Sequence, residues 1–94
     1  MFLILLRYKQ PLNVVDQHLV EHRQYLEAGY QKGYFIVSGP RNPRDGGVIL
    51  SQLKDKQTIT SVIHNDPFYL HGVADFEIIE FDPVKSHPDF TGFL

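Results

Sequence analysis

The chain of 94 residues predicts an α+β fold, a four-stranded antiparallel sheet with two helices on one face. Three observations carry the prediction. Four apolar runs have strand length, two stretches between them have helical spacing, and the pieces follow the order βαββαβ. A chain this short builds one domain around a single core.

The first strand is FLILLRY at Phe2–Tyr8, closed by Lys9-Gln10-Pro11. It has no polar alternation, so both of its faces are expected to be covered. Asn13 is placed to cap a helix, with Asp16 three residues on as the capping-box acid. Val15, Leu19, His22, Leu26 and Tyr30 then recur at intervals of four, three, four and four. That spacing is one face of a helix, which Gly33 stops. YFIVSGP (34–40) is the second strand, ending at Gly39-Pro40. The loop RNPRDGG contains the hairpin signal Asp45-Gly46, and VILSQL (48–53) is the third strand.

Asp55 caps a short helix whose inner face is Ile59, Val62 and Ile63. Pro67 ends it, because a residue before proline is pushed out of the α region. Asp66-Pro67 also reads as the cap and first position of a further turn, with Gly72 as its stop. ADFEIIEF (74–81) is the fourth strand. Residues 1–81 form the domain. Residues 82–94 form a peripheral arm of the same domain, without periodicity and with Phe90, Phe93 and Leu94 as anchors. The simplest compact solution for these elements is ferredoxin-like.

Composition excludes several classes. There are no cysteines, so disulfides and thiolate metal sites are ruled out. The net charge is −2 with mixed signs and no basic stripe, which argues against nucleic acid. The opening MFLILLRY is too short for a membrane span or a secretory signal, so no membrane partner and a cytoplasmic location are expected. Two helices cover one sheet face only, yet FLILLRY, YFIV and VIL are apolar on both. Apolar burial contributes about 25 cal/mol per Å2, so a wet sheet face would be costly. A homodimer packed sheet to sheet is the expected remedy.

Topology brings scattered polar residues to one edge. Arg7, Lys9, His18, His22, Ser38, Arg41, Arg44, Asp66 and His71 all fall at the end of the sheet where the first strand finishes. His18 to His22 spells H-x-x-E-H, a zinc-protease signature that sets two imidazoles one turn apart. A catalytic zinc also needs a third protein ligand and a large cleft, and His18 lies off the apolar face. Neither a metal nor another cofactor is therefore expected, and His18 and Glu21 are read as solvated.

His22 differs, because it interrupts the apolar face and should point at the sheet. One reading is a core histidine satisfied by backbone groups. The other pairs it with Asp66, whose carboxylate would fix the tautomer and leave the second nitrogen for acid–base work. Asp66 is equally readable as a cap alone. Ser38, Gly39 and Pro40 offer a hydroxyl and closely approaching backbone, and the rim arginines, Arg7 among them, would attract an anion.

The segments EHRQYLEAGYQKGYFIVSGP, DGGVIL and NDPFYLHGVADFEIIEF, with the opening FLILLRYKQPL, resemble the YciI-like (YCII-related) family in order and spacing. The resemblance covers nearly the whole chain except the last dozen residues. It implies a dimeric α+β barrel of ferredoxin-like protomers and a site built on a His–Asp pair, here His22 and Asp66. The family's Ser-Gly-Pro segment, which lines the same pocket, falls on Ser38 to Pro40. A few relatives in chloroaromatic degradation resemble dehydrochlorinases or muconolactone isomerases.

Two functions follow as expectations. The first is a cofactor-independent enzyme in which His22 and Asp66 perform acid–base chemistry, isomerisation or elimination, on a small anionic molecule held by Arg7, Ser38, Gly39 and Pro40. The second is a non-catalytic dimeric module that binds a small metabolite in the same pocket.

Overall fold

The computed structural model describes all residues, Met1–Leu94. Strands β1 (Phe2–Tyr8), β2 (Phe35–Pro40), β3 (Gly46–Ser51) and β4 (Ala74–Glu80) form one antiparallel sheet in the order β2-β3-β1-β4. Four helices join them: α1 (Leu12–Gln17), α2 (Leu19–Gln31), α3 (Lys56–Ile63) and α4 (Pro67–Leu70). This is the expected α+β, ferredoxin-like arrangement. No helix is long and apolar enough to cross a membrane.

Period-two alternation assigns β1 to two environments. Phe2, Ile4 and Leu6 are buried on one face together with Val15, Phe35, Ile49, Ile59, Ile63 and Phe68. Leu3 and Leu5, on the opposite face, are only half-buried, and Arg7 is exposed. The expectation that β1 is covered on both faces therefore holds for one face only. Across the other face the register aligns Val37, Leu50, Leu3 and Ile79 in a single apolar row spanning all four strands.

The long helix expected over residues 13–32 is two. His18 leaves the helical region at φ −109° and ψ 4°, between α1 and α2. Its N–H bonds the Val15 carbonyl at 3.0 Å, a tight turn that ends α1, while its own carbonyl starts α2 by accepting from His22. Asn13 lies inside α1, whose N-cap position is Pro11, so the expected side-chain cap does not form. Gly33 does terminate the second helix, in the left-handed region at φ 76°. α2 packs tightly on β2, because a Cβ on Gly29 would lie 2.2 Å from the Phe35 ring.

At the second crossover, Asp55 accepts from the Thr58 N–H at 3.0 Å and from its hydroxyl at 2.7 Å, capping α3. Asp66 caps α4 with Pro67 in the first turn. Gly72, at φ 63°, releases the chain into β4. The arm contains a 3-10 helix, Pro88–Phe93, which lacks the 3.6-residue period that a sequence reading seeks. Phe90 is half-buried, but Phe93 and Leu94 stay exposed at 42% and 49%, so they do not anchor it as expected.

Candidate active site

His22 projects from the second turn of α2 toward the base of α4. Its side chain is 11% exposed, and that of Asp66 is sealed. The His22 Nδ1 lies 2.8 Å from Asp66 Oδ1, and the same oxygen accepts the Phe68 backbone N–H at 2.9 Å. One carboxylate therefore caps a helix and holds an imidazole. The carboxylate accepts, so Nδ1 carries the proton and the neutral ring keeps its lone pair on Nε2. That second nitrogen has no hydrogen-bond partner in the protein and is not sealed from solvent. The ring lies face to face with Phe68, with centroids 3.9 Å apart and planes 2° from parallel, which fixes its orientation.

Further polar groups surround the pair. Asp66 Oδ2 is buried without a partner, so Oδ1 accepts both of the carboxylate's hydrogen bonds. Tyr25 donates to the Val62 carbonyl at 2.7 Å. Burial, and after it the nearby Asp66 charge, pushes the Tyr25 hydroxyl well above the ordinary tyrosine range.

His22 forms part of the wall of a cavity of about 350 Å3 between α2 and the sheet. Leu6 and Tyr8 of β1, Ile49 of β3, Leu19 and Leu26 of α2 and Phe68 of α4 supply apolar and aromatic surface. Ser38, Gly39 and Pro40 form the β2 side, as expected. Arg23 and Arg44 also line the cavity, and no carboxylate does. Arg44 is tied to Asp16 at 2.6 Å, and that hydrogen bond holds the guanidinium still more firmly protonated.

A β-bulge puts Ser38 in this wall. Phe35 pairs with Ser51 and Ser38 with Ile49, so three steps along β2 match two along β3, and the pairing shifts between Phe35 and Val37. Uninterrupted alternation would send Phe35 and Ser38 to opposite faces; the extra residue turns both toward the helices. The Ser38 hydroxyl then meets the Tyr30 hydroxyl at 2.5 Å.

Arg7 does not line this cavity, which corrects its expected place beside Ser38, Gly39 and Pro40. It follows Leu6 and precedes Tyr8, both cavity residues, so alternation sends it to the opposite face. There it borders a shallow depression with Arg41, Asp75 and Glu77. Lys9 pairs with Asp75 at 3.2 Å. His18, read as solvated, is half-buried, and its Nδ1 is sealed without a hydrogen-bond partner. Arg23, Tyr8 and Phe68 were not foreseen as site residues. The alternation through Ile4 and Leu6 places Tyr8, but helical spacing alone gives no reason to single out Arg23.

The YCII-related domain matches residues 1–82. No curated protein matches the chain. Among solved structures, the chain is similar to 5-chloro-2-hydroxyhydroquinone dehydrochlorinase from Burkholderia phenoliruptrix, in complex with 2,5-dihydroxybenzoquinone. The two are 21% identical, with a TM-score of 0.71 over 87% of this chain and 94% of that one. At that identity the likeness establishes a shared fold.

Proposed function

The chain belongs to the YCII-related domain family, and on that premise we propose that it is a cofactor-independent acid–base enzyme acting on a small anionic organic molecule. The observation that carries the reading is the 2.8 Å bond from His22 Nδ1 to the sealed Asp66, with the opposite nitrogen unpartnered at a cavity wall. In the proposed reaction Nε2 takes a proton from a carbon or hydroxyl of the bound molecule, and Asp66 stabilises the resulting imidazolium. Elimination follows if the electron pair left behind expels a neighbouring leaving group with its bonding electrons. Isomerisation follows if the imidazolium returns the proton to a different carbon.

Arg23 and Arg44 line a cavity that has no carboxylate in its walls, Arg44 being held from outside it by Asp16, and this positive lining supports an anionic substrate. Ser38 and the Gly39-Pro40 backbone are the proposed positioning groups. The dehydrochlorinase likeness supports elimination as the reaction class.

The test is solvent-deuterium incorporation into a panel of small unsaturated acids and hydroxylated aromatics, followed by mass spectrometry. Wild type is expected to exchange or convert at least one member, and His22→Gln to lose that activity. Conversion undiminished in His22→Gln would end the proposal. Binding of a panel member with no exchange by wild type would favour the metabolite-binding module instead.

The assembly proposed is a homodimer through the open sheet face, supported by the apolar row of Val37, Leu50, Leu3 and Ile79. Val37 is 57% exposed in the single protomer, in the middle of a strand where only a partner would cover it. Sedimentation is expected to give a dimer for wild type and a monomer for Leu50→Lys. A wild-type monomer at micromolar concentration would refute it.

A further inference from the structure

Apart from the proposed active site, the first letters of H-x-x-E-H meet a residue far along the chain. His18, between α1 and α2, stacks on His71, which follows α4, with centroids 4.2 Å apart and planes 18° from parallel. Glu21, in the first turn of α2, reaches His71 Nε2 at 3.6 Å. One ligand-capable atom from each of the three lies within 4.8 Å of the others. His22, the motif's final histidine, is turned away to Asp66.

We infer that His18, Glu21 and His71 form a binding site for a divalent transition-metal ion of the Zn2+ type. Two imidazole nitrogens and one carboxylate oxygen, completed by water, are a donor set that zinc takes in tetrahedral geometry. An independent observation also points to a ligand. The Nδ1 of His18 is sealed from solvent and has no hydrogen-bond partner, a costly state whether or not it is protonated. A metal ion satisfies an imidazole lone pair where no donor is available.

Tetrahedral bonds of about 2.0–2.1 Å set ligand atoms roughly 3.3 Å apart, so the three groups must close in slightly. An imidazole lone pair lies in the ring plane, and two near-parallel rings do not share one point in both planes. Binding therefore turns the His71 ring out of its stack. His71 and Glu21 are 47% and 56% exposed, so both side chains have room to adjust.

None of the three residues lines the cavity, so the ion would not touch a molecule held there. Its effect would be mechanical. His18 and Glu21 belong to the start of α2, which carries His22, while His71 ends α4, which Asp66 caps. A shared ion clips together the two elements that hold the His22–Asp66 pair.

The test uses chelator-treated protein freed of chelator, titrated with zinc chloride by calorimetry and followed by thermal unfolding. One ion per chain is expected, with the unfolding midpoint rising as zinc is added, because binding to the folded state stabilises it. His71→Ala and Glu21→Gln change exposed side chains and leave the fold intact. Each is expected to weaken binding by roughly tenfold or more and to remove the zinc-dependent rise in midpoint. His64→Ala and His87→Ala, at histidines elsewhere on the surface, are expected to bind as wild type does. Absence of one-to-one binding, or binding that survives His71→Ala and Glu21→Gln, overturns the inference, as does equal loss in the His64 and His87 variants. Because zinc binding is read without turnover, its failure leaves the acid–base proposal standing.

Discussion

Replacing Asp66 by alanine removes two interactions that share one oxygen atom. Asp66 Oδ1 accepts from His22 Nδ1 at 2.8 Å and from the Phe68 N–H at 2.9 Å. Loss of the helix cap costs about 0.5–2 kcal/mol. Leaving the buried His22 nitrogen without its partner costs about 1–3 kcal/mol more. The two together come to about 3 kcal/mol, a large share of the roughly 5–15 kcal/mol that holds a domain folded. At about 4–8 °C per kcal/mol for a domain of this size, the midpoint should fall by roughly 12–24 °C.

Asp66→Asn is the companion variant, because its amide oxygen can still accept both bonds while the charge is lost and an NH2 group takes the sealed, unpartnered place of Oδ2. It should destabilise by about 2 kcal/mol, about 1 for the change from a charged to a neutral acceptor and about 1 for the unpaired buried amide, and still less than alanine because both accepted bonds remain. The assay is urea unfolding followed by circular dichroism, with an unchanged slope confirming comparable states. A double-mutant cycle with His22→Phe should show the pair's coupling, with the double variant losing less than the sum of the singles. The reasoning fails if Asp66→Ala unfolds within about 0.5 kcal/mol of wild type, or if Asn costs as much as Ala.

Two further predictions concern the frame around the site. Gly29→Ala drives a methyl group into the buried Phe35 ring, 2.2 Å from the Cβ position, and overpacking of this kind costs about 1–3 kcal/mol; urea unfolding measures it, and a neutral or stabilising result would refute the close approach. Asp55 is held below the ordinary carboxylate range by its hydrogen bonds from Thr58. Its contribution to stability is therefore present above the unfolded pKa and lost as pH falls through the depressed folded one. Wild type should exceed Asp55→Ala in stability at neutral pH, and the gap should narrow in acid titrations; a constant gap would show that the charge of the cap is irrelevant.

Much of the frame is legible because local rules act alone there. Asp55, Gly33 and the Asp66-Pro67 pair each satisfy or end a helix through groups a few residues away, so their roles can be read from neighbouring letters. His22 is legible as inward-facing because helical periodicity decides which side of α2 meets the sheet. Periodicity is also what misleads when the chain departs from it. The turn at His18 divides the helix without a glycine or proline to announce it, and no sequence period marks the 3-10 helix in the arm.

What the sequence by itself determined is the order of the strands, the caps of α3 and α4, the Gly33 stop and the inward side of α2, all consequences of near-neighbour geometry. Tertiary structure alone decided that His22 and Asp66, 44 residues apart, meet within one hydrogen bond. It also decided that a bulge in β2 turns Ser38 into the cavity, that Arg7 leaves it, and that His18 of the H-x-x-E-H run stacks on His71. Each of those outcomes depends on the register and packing of distant segments, where a shift of one residue reverses the face that a side chain occupies.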